Sequence, residues 1–214
     1  MTYSVEAICT GKAAPFRGAE KSAFAKQARA GRIGITENGI TGDEQADRRV
    51  HGGPEMAVHL YPLDHSEFWR KTIGDHELLD DPGAFGSNLA VKGVTEEKVF
   101  IGDRFRIGSS LLEVSQPRQP CWKIEHRFAV KGMVAAILKS GRCGWYFRVL
   151  ETGHAAAGDI LEKVGEADSR LSVLQTFQSL VAAPTQAEHA VLKQLAETPT
   201  LTPRLREKAR ARLG

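Results

Sequence analysis

A chain of 214 residues with 42% hydrophobic and 26% charged side chains can bury a core and is balanced like a soluble globular protein. Its net charge of +3 implies no general affinity for nucleic acid, and no run approaches the roughly 18 apolar residues of a membrane span. The first residues, MTYSVEAICTGKAAPFRG, contain no apolar block followed by a small-residue cleavage site. The three cysteines Cys9, Cys121 and Cys143 form no C-x-x-C pair, so free thiols in a cytoplasmic, reducing setting are expected.

The first two-thirds of the chain reads as short strands separated by glycine-rich turns. Residues 21–26, KSAFAK, place Lys21 and Ser22 before an apolar segment, where surface lysine is the plain reading. In residues 42–62, GDEQADRRVHGGPEMAVHLYP, His51-Gly52-Gly53-Pro54 predicts a tight turn. Its glycines would let a ligand approach the backbone, and amides beside His51, Arg48 and Arg49 suit an anion; an ordinary Gly-Gly-Pro loop is the equal alternative. Met56, Val58 and Leu60 then alternate with Ala57, His59 and Tyr61, the period of a strand. Asp64 and Glu67 predict a capping box, opening a helix with His65, Phe68, Trp69, Thr72 and Ile73 on one face. His51, His59, His65 and His76 match no structural zinc spacing, and His65 reads as a packed core residue.

Further along, FGSNLAVKGV (85–94) holds a polar turn in which Asn88 either bonds a ligand or caps its own turn. A strand is expected at 98–101. DRFRIGSSLLEVS predicts a hairpin, with Phe105 and Ile107 leading to a Gly108-Ser109 turn and a return over 111–115. A helix at 131–140 would place Met133, Val134, Ile137 and Leu138 inward and stop at Gly141. Strands at 145–150 and 160–164 complete a pattern typical of a barrel or sandwich.

Within SQPRQPCWKI (115–124), Pro117 and Pro120 each remove a backbone donor and fix φ, so this stretch should leave the sheet as a stiff loop. Loops at surfaces carry function, and Arg118 and Lys123 would favour the thiolate of Cys121, the form that attacks or ligates metal. A free cysteine more often serves as a small buried hydrophobe, the role expected of Cys9 and Cys143. The chain has no G-x-x-x-x-G-K-[ST], no dinucleotide fingerprint and no G-x-S-x-G.

After residue 165 the pattern becomes helical. A helix over 170–182 would bury Leu171, Leu174 and Val181; a second would start at Pro184-Thr185 with Glu188 closing a capping box. A third would have Thr202 as N-cap, Pro203 at its first position and Leu205, Ala209 and Leu213 in a stripe. Two units are therefore expected, a β domain over 1–165 and a three-helix segment over 166–214. Residues 199–214 set Arg204, Arg206, Lys208, Arg210 and Arg212 against Glu207, so the basic character belongs to the tail. A solvated charged face is its plain reading; docking an acidic electron donor or stabilising a homodimer are the functional ones.

Taken together, GDEQADRRVHGGPEMAVHLYP, FGSNL, GDRFRIG, SQPRQPCWKI and CGWYFRVL occur in the order seen in MOSC-domain proteins. The chain resembles their bacterial YiiM-type branch over nearly its whole length. The resemblance implies a mainly β fold, a MOSC-type β-barrel with a few short helices, plus the small C-terminal three-helix segment. It implies binding of the molybdenum cofactor, a molybdopterin carrying the metal, with Cys121 as the metal ligand. Lys21, Ser22, His51, Gly52, Gly53, Asn88, Arg118 and Cys121 would bind the cofactor, and Cys121 and His51 would be catalytic, His51 as a proton donor. Ser87 stands where family members often have Glu. The implied activity is oxygen removal from N-hydroxylated compounds, such as 6-N-hydroxylaminopurine, giving amines with electrons from a separate flavin-type reductase. The alternatives are a cofactor or sulfur carrier with a persulfide on Cys121, and a binding module led by the basic helical tail.

Overall fold

A computed structural model describes residues 1–44, 52–183 and 186–214. The strands before the first helix are β1 (Thr2–Thr10), β2 (Ala14–Arg17), β3 (Glu20–Ser22), β4 (Gln27–Ala28), β5 (Ile33–Thr36), β6 (Gly39–Ile40) and β7 (Val58–Pro62). Those after it are β8 (Leu89–Val91), β9 (Arg104–Ile107), β10 (Ser110–Pro117), β11 (Trp145–Glu151), β12 (Gly153–Ala155) and β13 (Ile160–Gly165). Seven of these close into a barrel in the order β13-β9-β10-β11-β7-β8-β1, with β1 pairing back onto β13 and β4 added beside β1. Every barrel pairing is antiparallel except β7 with β8. Closure removes the exposed sheet edges that would otherwise template aggregation.

Barrel strands bury Val58, Leu60, Phe105, Ile107, Leu112, Val114, Trp145, Phe147 and Leu161. Strand β7 is buried at every residue, on both faces, so its predicted alternation does not separate core from solvent. Its outer face is covered by α1 (Ser66–Ile73) and α2 (Lys123–Phe128). Trp69 of α1 donates its indole N–H to Tyr61 Oη at 2.7 Å, Tyr61 stacks on Phe85 at 4.1 Å, and Phe128 of α2 packs against Phe85. The third helix, α3 (Met133–Ser140), ends at Gly141 in the left-handed conformation, as its sequence predicts.

The remaining helices are α4 (Val173–Phe177), α5 (His189–Glu197) and α6 (Pro203–Arg210). The hydrophobic core runs without a break from the barrel into Val173, Phe177, Leu180, Leu192, Leu195, Leu201, Leu205 and Ala209. Thr202 stitches the tail to β10: its backbone N–H reaches Ser115 O at 3.3 Å and its hydroxyl donates to Gln116 Oε1 at 2.9 Å. No described helix is long and apolar enough to cross a membrane.

Several local expectations are corrected. Residues 98–101 form only an isolated bridge, Phe100 with Ser172, because the chain there turns around the buried Asp103. The α1 capping box does not form: Asp64 Oδ2 accepts from Gly93 N at 2.8 Å, while Glu67 pairs with Lys71. Thr72 lies on the exposed side of that helix. The helix predicted for 170–182 starts later, where Ser172 Oγ accepts from Gln175 N, and passes into a π-helical turn over Gln178–Ala182. Its deeply buried residues are therefore Val173, Phe177 and Leu180 rather than Leu174 and Val181. The next helix begins at His189, with Glu188 as N-cap making no side-chain cap, and Pro184 and Thr185 lie outside the described residues. At α6, Thr202 and Pro203 occupy the predicted N-cap and first positions.

Candidate functional site

The stiff loop expected of residues 115–124 does leave the sheet, but only after Pro117, where β10 ends. Strand β10 runs through Pro117, which pairs with Trp145, and Arg118 N–H still donates to Gly144 O at 3.0 Å. Proline is tolerated because it sits at the last ladder position, where its missing donor costs little. Gly144 meets Arg118 with φ +70°, and a Cβ there would run into the backbone carbonyl oxygen of Leu60, so glycine is required. A buried brace supports this corner: Glu96 accepts from Gly144 N at 2.7 Å and from His65 Nε2 at 2.8 Å. His65 is thus the packed, partnered residue its sequence position predicts.

From this corner the chain crosses Gln119 and Pro120, presents the half-buried Cys121, and enters α2 with Lys123. A cavity of about 100 Å³ opens there, lined by Ser22, Phe24, Lys26, Asp43, Met56, His59, Gly86, Asn88, Arg118, Gln119, Cys121, Lys123 and Tyr146, among others. Cys9 and Cys143 lie elsewhere and are fully buried; burial pushes the Cys9 thiol up to about 12 and that of Cys143 well above its ordinary value. Cys121 is accordingly the accessible sulfur.

Three cations among the described residues line this cavity, and two are spoken for. Lys26 forms a buried ion pair with Asp43, whose carboxylate also accepts from Gly11 N at 2.7 Å and Asn88 Nδ2 at 2.8 Å. Burial pushes the Lys26 ammonium down, and Asp43 opposes that shift. Lys123 stands 3.3 Å from Glu20. Arg118 differs. It is 4% exposed, its guanidinium lies 5.6 Å from the Phe24 ring, its Nη1 is buried without a hydrogen-bond partner, and no carboxylate pairs with it among the described residues. A buried cation without a counter-charge is costly, so this side chain is prepared for an anion.

Two further groups frame the thiol. His59 Nδ1 donates to Gly86 O at 3.2 Å while Nε2 is buried without a partner. Burial above all, then Arg118, pushes its imidazole well below its ordinary range, so it stays neutral. Tyr146 packs its ring 4.9 Å from His59, and burial chiefly, aided by Cys121 and opposed by Arg118, raises its phenol above the usual value.

Of the predicted site residues, the structure brings together Ser22, Asn88, Arg118 and Cys121. Asn88 is committed internally: its Oδ1 accepts from His59 N at 3.0 Å and its Nδ2 donates to Cys9 O and Asp43, so it positions the site. Lys21 lies exposed on β3 and outside the described lining. Gly52 and Gly53 also lie outside it; they precede the turn Pro54–Met56, and Met56 is the residue that reaches the cavity. His51, Arg48 and Arg49 lie outside the described residues. Lys26, Asp43, His59 and Tyr146 are the lining groups that sequence reasoning missed. Among the described residues no group of three or more His, Cys, Asp or Glu could hold a metal, so a metal bound to Cys121 would bring its other ligands with it.

Comparisons with known proteins identify the family. The MOSC domain model matches residues 47–162. The chain is 38% identical over 164 residues to Protein YiiM of Escherichia coli, covering 77% of this chain and 73% of that one. It is 37% identical over 177 residues to a protein named Reductase from Gibberella moniliformis, covering 82% of this chain but only 30% of that much longer protein. The crystal structure of YiiM from Geobacillus stearothermophilus superposes with a TM-score of 0.83 at 28% identity, over 99% of this chain and 100% of that one. The sequence match across the barrel and the full-length superposition, tail included, place the chain in the MOSC domain family, alongside the YiiM proteins.

Proposed function

We propose that the protein is a molybdenum-cofactor-dependent reductase that converts N-hydroxylated compounds to amines with electrons from a separate flavin-type reductase. The observation that carries this reading is the half-buried Cys121 thiol sharing a cavity with Arg118, a buried guanidinium with no counter-charge among the described residues. The residues fit such a group. A thiolate is a soft ligand suited to a redox metal, and a lone thiol needs a cofactor that carries the remaining ligands. The name of the fungal relative and the similarity to YiiM support a reductase of this family.

In this reading Cys121 anchors the metal and Arg118 neutralises the cofactor's anionic groups, with Lys123 at the edge of the same cavity. When bound, the cofactor supplies the redox chemistry; the chain supplies orientation, charge and protons. Asp43, through Asn88 and Lys26, holds the floor rigid, as preorganised sites require. His59 is kept neutral, so it adds no competing positive charge. Tyr146, whose phenol retains its proton throughout the neutral range, is the proton donor that the described lining offers beside Cys121.

The test is elemental analysis of protein produced in a cofactor-competent host, with pterin fluorescence and turnover measured on the same sample. Near-stoichiometric molybdenum is expected in the wild type and its loss, with activity, in Cys121→Ser. Metal retained in that variant overturns the ligand assignment, and a sulfur-mass adduct on Cys121 of cofactor-free protein would favour a sulfur carrier instead.

A further inference from the structure

A second cavity, of about 290 Å³, meets the first at Met56, Gln119, Cys121 and Tyr146. Cys121 thus lines two spaces that differ on their far sides. The first is walled by Arg118 and the buried Lys26–Asp43 pair; the second by Val181, Arg204 and Leu205 of the C-terminal segment. Its size sits at the lower end of small-molecule pockets, which span about 300–1,000 Å³, so it suits one planar ring system rather than an extended ligand.

The lining also has a definite polarity. Pro117, Pro120, Val181 and Leu205 give flat apolar surface, Gln116, Gln119 and Tyr146 give neutral hydrogen-bonding groups, and Arg204 gives a cation; no carboxylate lines it among the described residues. Gln116 is held in orientation by Thr202, whose hydroxyl donates to its Oε1. Arg204 differs from other arginines of the basic tail. Arg210 donates to Ala196 O at 3.2 Å, and Arg212 donates to Ser179 O at 2.8 Å and Leu180 O at 3.3 Å, so both are tied into the fold. Arg204 is exposed at the start of α6, lines the cavity, and has no ion-pair partner among the described residues.

We infer that this second cavity is the substrate pocket, that the C-terminal helices form its specificity-determining wall, and that Arg204 selects planar substrates bearing an anionic group over cationic ones. The identity of the ligand rests on the reductase reading above; the place and charge preference rest on the cavity itself.

The experiment has two arms. In cofactor-free protein, Cys121 is alkylated with iodoacetate or with iodoacetamide, and the two rates are followed by peptide mass spectrometry. An exposed charge contributes up to about a fivefold preference, so Arg204→Ala should lower the anion-to-neutral rate ratio by up to about that factor. Arg204→Glu should lower it further, while Arg204→Lys should largely preserve it. Lys208→Ala, which removes a tail cation outside the cavity lining, should leave the ratio unchanged. In the loaded enzyme, kcat/KM is compared for aryl hydroxylamines carrying a para carboxylate or a para trimethylammonium group, and Arg204→Glu should shift that ratio in the same direction. An unchanged alkylation ratio in Arg204→Glu, or an equal change in Lys208→Ala, overturns the inference. If the loaded wild type turns over neither hydroxylamine, the reductase reading fails, and the alkylation arm still decides the pocket.

Discussion

Replacing Arg118 with methionine should stabilise the cofactor-free protein and abolish its response to anions. The side chain is buried, its Nη1 has no partner, and no described carboxylate neutralises it. Its charge also opposes protonation of His59, which lines the same cavity. Exchanging such buried ionic groups for an apolar chain of similar length gains about 1–4 kcal/mol. The lower half of that range is taken here, because a single charge is exchanged rather than a whole ion pair. A gain of about 1–2 kcal/mol moves the melting temperature of a domain this size by roughly 2–8 °C. The order should reverse when an anion is supplied. Pyrophosphate at about 100 times its Kd adds about 2.7 kcal/mol to the wild type and nothing to a variant that cannot bind it. Thermal melts of both proteins, with and without pyrophosphate, measure the four values required. A variant that melts below the wild type without anion, and responds to pyrophosphate equally, would refute the idea that this cation awaits a negative ligand.

Three further outcomes follow from the same geometry. In the native protein iodoacetamide should label Cys121 and spare Cys9 and Cys143, whose burial keeps both protonated; labelling of either before Cys121 in a native peptide map would contradict the placement. Asp43→Ala strands the buried Lys26 ammonium and leaves Gly11 N and Asn88 Nδ2 without their acceptor, so a loss of about 3–5 kcal/mol is expected in urea titrations, against little change for Glu67→Ala on the surface of α1. For His59, the folded protein holds the imidazole below its unfolded value, so the unfolded chain binds more protons as acidity rises. Stability should fall as pH drops below about 6.5, with a slope of up to about 1.4 kcal/mol per pH unit from this group, until the folded-state value is reached; His59→Gln should flatten that slope.

The thiol was legible because its signals are local: two prolines, two cations and a cysteine lie within eight residues of one another. The Lys26–Asp43 pair was not, because each partner has a sufficient local explanation. Lys26 lies in a stretch that reads as carrying surface lysine and Asp43 lies upstream of the His51–Pro54 turn, and only barrel closure brings β1, β8 and residues 42–44 together around Asn88. The stiff loop was legible too, although it starts only after Pro117, which still pairs with Trp145. Proline's missing donor matters only where the ladder needs one, and the register against β11 shows that this position does not. The helix after residue 172 lost its predicted face because Ser172, as N-cap, sets its start three residues late, and the π turn then rotates everything beyond Phe177.

The tail is where composition alone misleads most. Read as charge, residues 199–214 are a basic surface awaiting a partner. In the fold, Leu205 and Ala209 sit in the barrel's own hydrophobic core and Arg210 and Arg212 cap neighbouring backbone carbonyls, so much of that charge serves internal packing. A segment sharing the core cannot be removed without exposing it, so truncation after residue 165 would unfold the barrel rather than reveal what the helices do. Their contribution has to be read through a side chain that packs against nothing essential yet faces Cys121's second cavity. Arg204 meets both conditions.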